Sequence, residues 1–276
     1  MLRDRARSAA ILVPPLLVAL WIGEPFISAV VAIVVVLGAI ELFRLLTAAG
    51  HASFPSLGAA LAVVVALGDS VKAVPGGSGL LLLGAGVVLI GIAALTRPDP
   101  REGLAMLAAT TFGAIYLGLL GYVERLASAG PPIDPAAALG WIGTQRAWVL
   151  ILVLGVWAFD TSAYLVGRRF GRRRFIPHIS PGKTVEGVIG GTVAAIVVTT
   201  ILVALIGRSA ILGAGLGLAI AVAAQAGDLV ESMIKRAAGA KESGRLIPGH
   251  GGMLDRIDSF LFAAPVTFLY VVAAFR

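Results

Sequence analysis

Predominantly apolar stretches of roughly 17–25 residues with few charges, the length a helix needs to cross ~30 Å of hydrocarbon, recur from Pro25 to Phe275 with short polar breaks between them. A chain built this way needs lipid as its solvent. Its composition agrees: 58% of the 276 residues are apolar and only 13% are charged, too little charge to keep a soluble domain of this size in water. The expected spans are approximately 26–46, 55–74, 79–96, 103–122, 147–166, 186–206, 210–228 and 254–274. A ninth, Ala9 to Ile22, is short, contains Pro14 and Pro15, and follows Arg3, Arg5 and Arg7 in the manner of a signal peptide. No small-residue cleavage site follows it and Glu24-Pro25 leads straight into another apolar run, so it is read as a membrane segment.

Loop charge tests this count, because Lys and Arg accumulate on the cytoplasmic side. Nine spans with the N-terminus inside place seventeen of the 22 basic residues in cytoplasmic segments, and leave Lys72, Arg125, Arg146, Arg208 and Arg276 outside, no more than two per segment. The expected fold is therefore all-α, a polytopic helical bundle of about nine transmembrane helices with a cytoplasmic N-terminus. The net charge of +7 is dispersed among membrane loops, without a basic domain or an aromatic platform. That pattern excludes a nucleic-acid partner and points to anionic lipid or nucleotide. With no cysteine there is no disulfide framework, thiolate metal site or thiol nucleophile, and His51, His178 and His250 are too scattered for a zinc site.

Two regions follow from texture. Residues 1–145 are Gly-, Ala-, Val- and Leu-rich helices with little chemistry in their loops, suited to packing and lipid access. Their glycine-rich stretches, Gly76-Gly77-Ser78-Gly79 and Gly84-Ala85-Gly86, read as close-packing or turning positions. Glu41, Asp69 and Glu124 read as ordinary interfacial carboxylates near span ends. Residues 146–276 are expected to carry the chemistry, because here ionisable groups stand inside or against apolar segments and are costly unless paired or functional.

Three segments carry the chemistry. In the first, Asp160 and Tyr164 share a helical face that leads through Arg168 to a basic loop ending in Ser180-Pro181-Gly182-Lys183-Thr184. Positive-inside anchoring accounts for much of that loop. Lys183 differs: it follows a glycine just before a helix N-terminus, where backbone N–H groups and the helix dipole favour phosphate. A Walker loop is excluded by Pro177, which stands where that motif needs glycine, and by the strand the motif requires before it. In the second segment Asp228, Glu231, Ser232, Lys235 and Arg236 fall on one helical face. A solvated, salt-bridged helix has the same spacing, but the apolar run 210–226 continues into it and sets Asp228 at the membrane boundary.

The third segment runs from Lys241 to Ser259. Pro248 to Gly252 must turn tightly, and its glycines bring bare backbone close to whatever binds; Asp255 and Asp258 follow one helical turn apart. With Asp228 and Asp160 they make an oxygen-donor set suited to Mg²⁺ beside substrate phosphates, with Lys235, Arg236, Lys241 and Arg256 to balance phosphate charge. His250 is open between general acid, phosphate donor and turn residue.

The runs Ser232 to Arg236, Lys241-Glu242 and Pro248 to Asp258 resemble the signature of the phosphatidate cytidylyltransferases, also called CDP-diglyceride synthetases. The resemblance covers about residues 157–262 and departs at Glu242, where the family usually has Asp. It implies a multi-pass enzyme of the inner (cytoplasmic) membrane, with its active site facing the cytoplasm, that moves CMP from CTP to phosphatidic acid. It implies Mg²⁺ as cofactor and leaves a second cation open; a homodimer is suggested by the family alone. The implied catalytic set is Asp228, Lys235, Arg236, Asp255, Arg256 and His250. The implied substrate contacts are Lys183, Thr184, Tyr164, Ser232, Lys241, Gly251 and Gly252, and the implied metal ligands Asp160, Asp228, Asp255 and Asp258. Rival readings fit less well. A secondary transporter should show inverted repeats, but the charged constellation occurs once. A purely structural membrane protein leaves the glycine turn and the Asp255–Asp258 pair unexplained. A CDP-alcohol phosphotransferase should carry an Asp-Gly-x-x-Ala-Arg run that is absent.

Overall fold

The computed structural model describes residues 18, 20–68, 78–246 and 251–275. Most of the expected first span, together with Gly76, Gly77, Asp69, Lys72, Pro248, Gly249 and His250, lies outside the described residues. The elements in order are α1 (Glu24–Ala48), α2 (Pro55–Leu67), α3 (Ser78–Ala94), α4 (Pro100–Gly118), a 3₁₀ turn (Leu119–Gly121), α5 (Tyr122–Ala129), a second 3₁₀ turn (Gly140–Ile142), α6 (Thr144–Phe170), β1 (Arg174–Ile176), β2 (Ser180–Thr184), α7 (Val185–Leu205), α8 (Ala210–Ala237) and α9 (Leu254–Ala274). Among the described residues, six apolar segments are long enough to cross a membrane: α1, α4 with α5, α6, α7, α8 and α9. Two more, Pro55–Leu67 and Gly79–Ala94, are apolar but shorter.

The all-helical expectation needs one correction. Arg174–Ile176 and Ser180–Thr184 pair as an antiparallel hairpin, with Arg174 opposite Thr184 and Ile176 opposite Ser180. The segment between α6 and α7 has its own polar backbone to satisfy, and pairing with itself does so. Glu186, in the first turn of α7, ties the hairpin down by accepting the Arg172 and Arg173 N–H groups at 3.0 and 3.2 Å.

The chain divides into two compact units, Met1–Glu124 with Ile234–Ile257, and Arg125–Met233 with Asp258–Arg276. In the first, α2 packs against α1, α3 and α4, and α4 also meets α1 and α3. In the second, α6 and α7 make the dominant pair. The reason is legible on α7. At four-residue spacing it buries Gly187, Gly191, Ala195, Thr199 and Val203, and on another face exposes Ile189, Val193, Val197 and Ile201. Small residues inside and large apolar residues outside is the polarity of a helix whose outer solvent is lipid, where close backbone approach drives packing. A Cβ at Gly191 would meet the Phe159 carbonyl and the Ala163 side chain, so α6 and α7 touch almost backbone to backbone. The same reading holds at Gly86, which faces Leu61, and fails at Gly84, where an added Cβ would meet nothing within 4 Å.

Candidate active site

Within the second unit, the polar residues gather on α6, β2, α8 and α9. Lys183 lies on β2, so a strand does carry this lysine, but as the second arm of a hairpin. Its ammonium pairs with Asp228 of α8 at 2.5 Å, and both side chains keep partial access to solvent, 20% and 28%. Thr184, buried, is the N-cap of α7 and accepts the Gly187 N–H at 3.2 Å, which fixes the strand-to-helix corner next to Lys183. One turn along α8, the buried Ser232 donates to Asp228 Oδ1 at 3.3 Å. Asp258, half-buried at the start of α9, has Asp228, Glu231 and Asp160 as electrostatic neighbours and accepts the Ser259 N–H at 2.7 Å. The Ser259 hydroxyl approaches Asp160 on α6 at 3.5 Å. Tyr164 is exposed one turn from Asp160, and its hydroxyl accepts from Arg168 at 3.3 Å.

Asp160, Asp228, Glu231 and Asp258, from three helices, therefore gather in this unit, with Lys183 paired to Asp228. Glu231 is fully buried among them, a position that the one-face pattern on α8 already marked. The donors are all oxygen, which fits a hard dication held by one or two carboxylates with water and substrate phosphate completing its shell. No three carboxylate or imidazole groups among the described residues converge into a preformed cage.

Within the first unit, a second cluster surrounds the start of α9. Lys235, on the last turn of α8, donates to Asp255 Oδ1 at 2.6 Å, and both side chains are about nine-tenths buried. Asp255 Oδ2 accepts from the Ser243 N–H, the Ser243 hydroxyl and the Gly252 N–H, each at 2.9 Å. The carboxylate is thus engaged at both oxygens, so a metal at Asp255 would have to displace Lys235. Gly251 takes a left-handed φ of 76°, and a Cβ there would strike Asp255.

Helix α8 ends just beyond Lys235 in a left-handed glycine cap. Gly239 has φ 66°, its N–H reaches the Arg236 carbonyl, and the Ala240 N–H reaches that of Lys235. Arg236 itself is exposed and donates to the Ala240 carbonyl at 2.9 Å. Lys241 lines a shallow open pocket with Glu242, Gly244 and Arg245, and Arg256 is exposed on the first turn of α9.

One participant went unread in the sequence. Glu41, expected to be an ordinary interfacial carboxylate, is buried on α1 at 4% exposure. It accepts hydrogen bonds from the Met253 N–H at 3.0 Å, the Leu254 N–H at 2.8 Å and the Ser243 hydroxyl at 2.9 Å. A signal for it existed: α9 begins behind Met253, which has no side-chain oxygen to cap a helix, so the cap had to come from elsewhere. Glu124 is likewise buried, at 3% exposure.

A model of the cytidylyltransferase family matches residues 3–274, nearly the whole chain. The chain belongs to the cytidylyltransferase family. Among its relatives is the phosphatidate cytidylyltransferase of Synechocystis, 34% identical over 275 residues that cover 92% of this chain and 90% of that one. The phosphatidate cytidylyltransferase of Bacillus subtilis is 50% identical over 121 residues, covering 43% of this chain and 44% of its own. A chloroplastic phosphatidate cytidylyltransferase of Arabidopsis thaliana is 37% identical over 211 residues, 71% of this chain and 53% of that protein.

Proposed function

We infer that this membrane cytidylyltransferase transfers CMP from CTP to phosphatidic acid, giving CDP-diacylglycerol and pyrophosphate. The observation that carries the reading is the near full-length match to a phosphatidate cytidylyltransferase. The Lys183–Asp228 pair, partly open to solvent, supports it. In the reaction a phosphate oxygen of the lipid attacks the α-phosphorus of CTP, a P–O bond forms there, and the bond to the bridging oxygen breaks as pyrophosphate leaves. The nucleophile is already an anion near neutral pH, so the protein need supply only alignment and charge neutralisation.

Lys183 is assigned to the triphosphate, released from Asp228 when the nucleotide enters. Thr184, Ser232, Tyr164, Gly251 and Gly252 are assigned to placing the substrates, and Lys235, Arg236, Lys241 and Arg256 to neutralising phosphate, with arginine suited to bidentate contacts. His250 is assigned as a donor to phosphate. Asp160, Asp228 and Asp258 are the proposed Mg²⁺ ligands. Asp255 was expected in the same set, and its engagement with Lys235, Ser243 and Gly252 favours a role in shaping the turn. When bound, the cation would neutralise charge developing on the departing pyrophosphate. The wider proposal is a nine-span protein of the cytoplasmic membrane, homodimeric, with its N-terminus and active site facing the cytoplasm.

The test is conversion of radiolabelled CTP into a lipid-soluble product by the purified, detergent-solubilised protein, with phosphatidic acid and Mg²⁺ each supplied or omitted. Product that requires both additions is the expected result. Absence of product from folded protein would sink the reading, and product without Mg²⁺ would sink the metal assignment alone.

A further inference from the structure

We infer that Glu41 is a positioning residue for the reaction: from α1 it holds the turn that carries Gly252 and Asp255, and through Asp255 it sets Lys235. The kinetic part of this inference rests on the function proposed above; the structural part does not. All of the groups involved belong to the first unit.

Three observations converge. First, both oxygens of a nearly buried carboxylate are spent on one turn: Oε1 accepts the Met253 N–H, and Oε2 accepts the Leu254 N–H and the Ser243 hydroxyl. The first N–H groups of a helix have no intrahelical acceptor and carry its positive end, so an anion there both satisfies and stabilises them. The neighbouring Met253 side chain cannot do this, and Glu41 reaches in from 212 residues away.

Second, the loop is carved around this carboxylate. A Cβ at Gly252 would overlap Glu41 Oε2 and the Ser243 hydroxyl, and one at Gly244 would overlap Glu41 Oε1. Two glycines of the charged third segment thus stand where they do because Glu41 occupies the space a side chain would need.

Third, the Ser243 hydroxyl lies 2.9 Å from Glu41 Oε2 and 2.9 Å from Asp255 Oδ2. It has one proton, so it donates to one carboxylate at a time, while its oxygen accepts the Asp255 N–H at 3.3 Å and so stays at the helix start in either case. Asp255 in turn fixes the Lys235 ammonium at 2.6 Å. Glu41, Ser243, Asp255 and Lys235 therefore form a continuous relay of position that ends in a lysine assigned to phosphate. Glu41 itself is buried behind the turn.

The experiment uses the full-length protein in detergent with Glu41→Gln, Glu41→Asp and Ser243→Ala, and with the exposed Glu102→Gln as control. Glutamine keeps the reach but replaces one acceptor by a donor; aspartate keeps the charge but falls a methylene short. Hydrogen–deuterium exchange at the Met253 and Leu254 amides is expected to quicken about tenfold or more in both Glu41 variants, with α6 unchanged. In the same preparations kcat is expected to fall about 10- to 100-fold with KM for CTP held within roughly threefold, and Glu41→Gln/Ser243→Ala to be no worse than Glu41→Gln. Exchange and kcat within about twofold of the parent for Glu41→Gln would overturn the inference, as would a kcat loss that merely tracks the unfolded fraction. If the parent protein is inert yet the two amides open in the variants, the reaction assigned above is overturned and the hold of Glu41 on the turn stands.

Discussion

Lys183 and Asp228 hold each other at 2.5 Å with both side chains still reachable from solvent, as the proposed exchange of Asp228 for the triphosphate requires. Asp228→Asn and Lys183→Ala should each lower kcat/KM for CTP by about 100-fold, and the double variant should lose substantially more than either, because with nucleotide bound the two groups serve different partners, the cation and the triphosphate. Steady-state kinetics on the four proteins checks this; a double variant no worse than either single one would show that the two act only as a pair. Lys235 and Asp255 behave differently because both are nearly buried. Lys235→Met leaves Asp255 without its counter-charge and should cost about 3–5 kcal/mol, seen in thermal denaturation, whereas Lys183→Ala should barely shift the melt. The one-face spacing of Asp228, Glu231, Ser232 and Lys235 was legible from the sequence. Which acid pairs with which lysine was not, since Lys183 on a hairpin reaches Asp228 on α8, and Lys235 on α8 reaches Asp255 on α9.

At the scale of elements, α7 determines how well the second unit packs. Its buried face of Gly187, Gly191 and Ala195 leaves no volume for larger side chains. Gly191→Leu should destabilise the protein by about 1–3 kcal/mol or prevent its accumulation in the membrane, while Val197→Leu, on the exposed face of the same helix, should be neutral. Fluorescence-detected gel filtration after heating separates these outcomes. Thr184→Val should cost about 1 kcal/mol, because the Gly187 N–H loses its cap, and should also lower activity by loosening the corner that carries Lys183. The apolar runs announced the helices α1, α4, α6, α7 and α9 within a few residues of where they lie. The extension of α8 to Ala237 was readable afterwards from Gly239, whose left-handed conformation ends it. The hairpin 174–184 was not announced, since Arg- and Pro-rich segments lack the alternation that marks a strand.

For the whole molecule, the absence of cysteine makes topology directly measurable. With the N-terminus inside and nine spans, single cysteines replacing Arg172 and Ala240 should be labelled from the cytoplasmic side by a membrane-impermeant maleimide, and one replacing Arg208 from the opposite side. Labelling of all three from one side would refute the parity. By itself the sequence determined that the chain is a multi-span membrane protein, which family it resembles, and which stretches carry charge at a cost. Those properties are local or additive: hydropathy, helical spacing and a contiguous motif need no knowledge of what packs where. Only the tertiary structure decided the partners of that charge and the division of the chain into units that interleave its two ends. Glu41 is the clearest instance, a lone carboxylate in an apolar helix whose meaning depends on a helix start at Leu254 that nothing in its own sequence neighbourhood specifies.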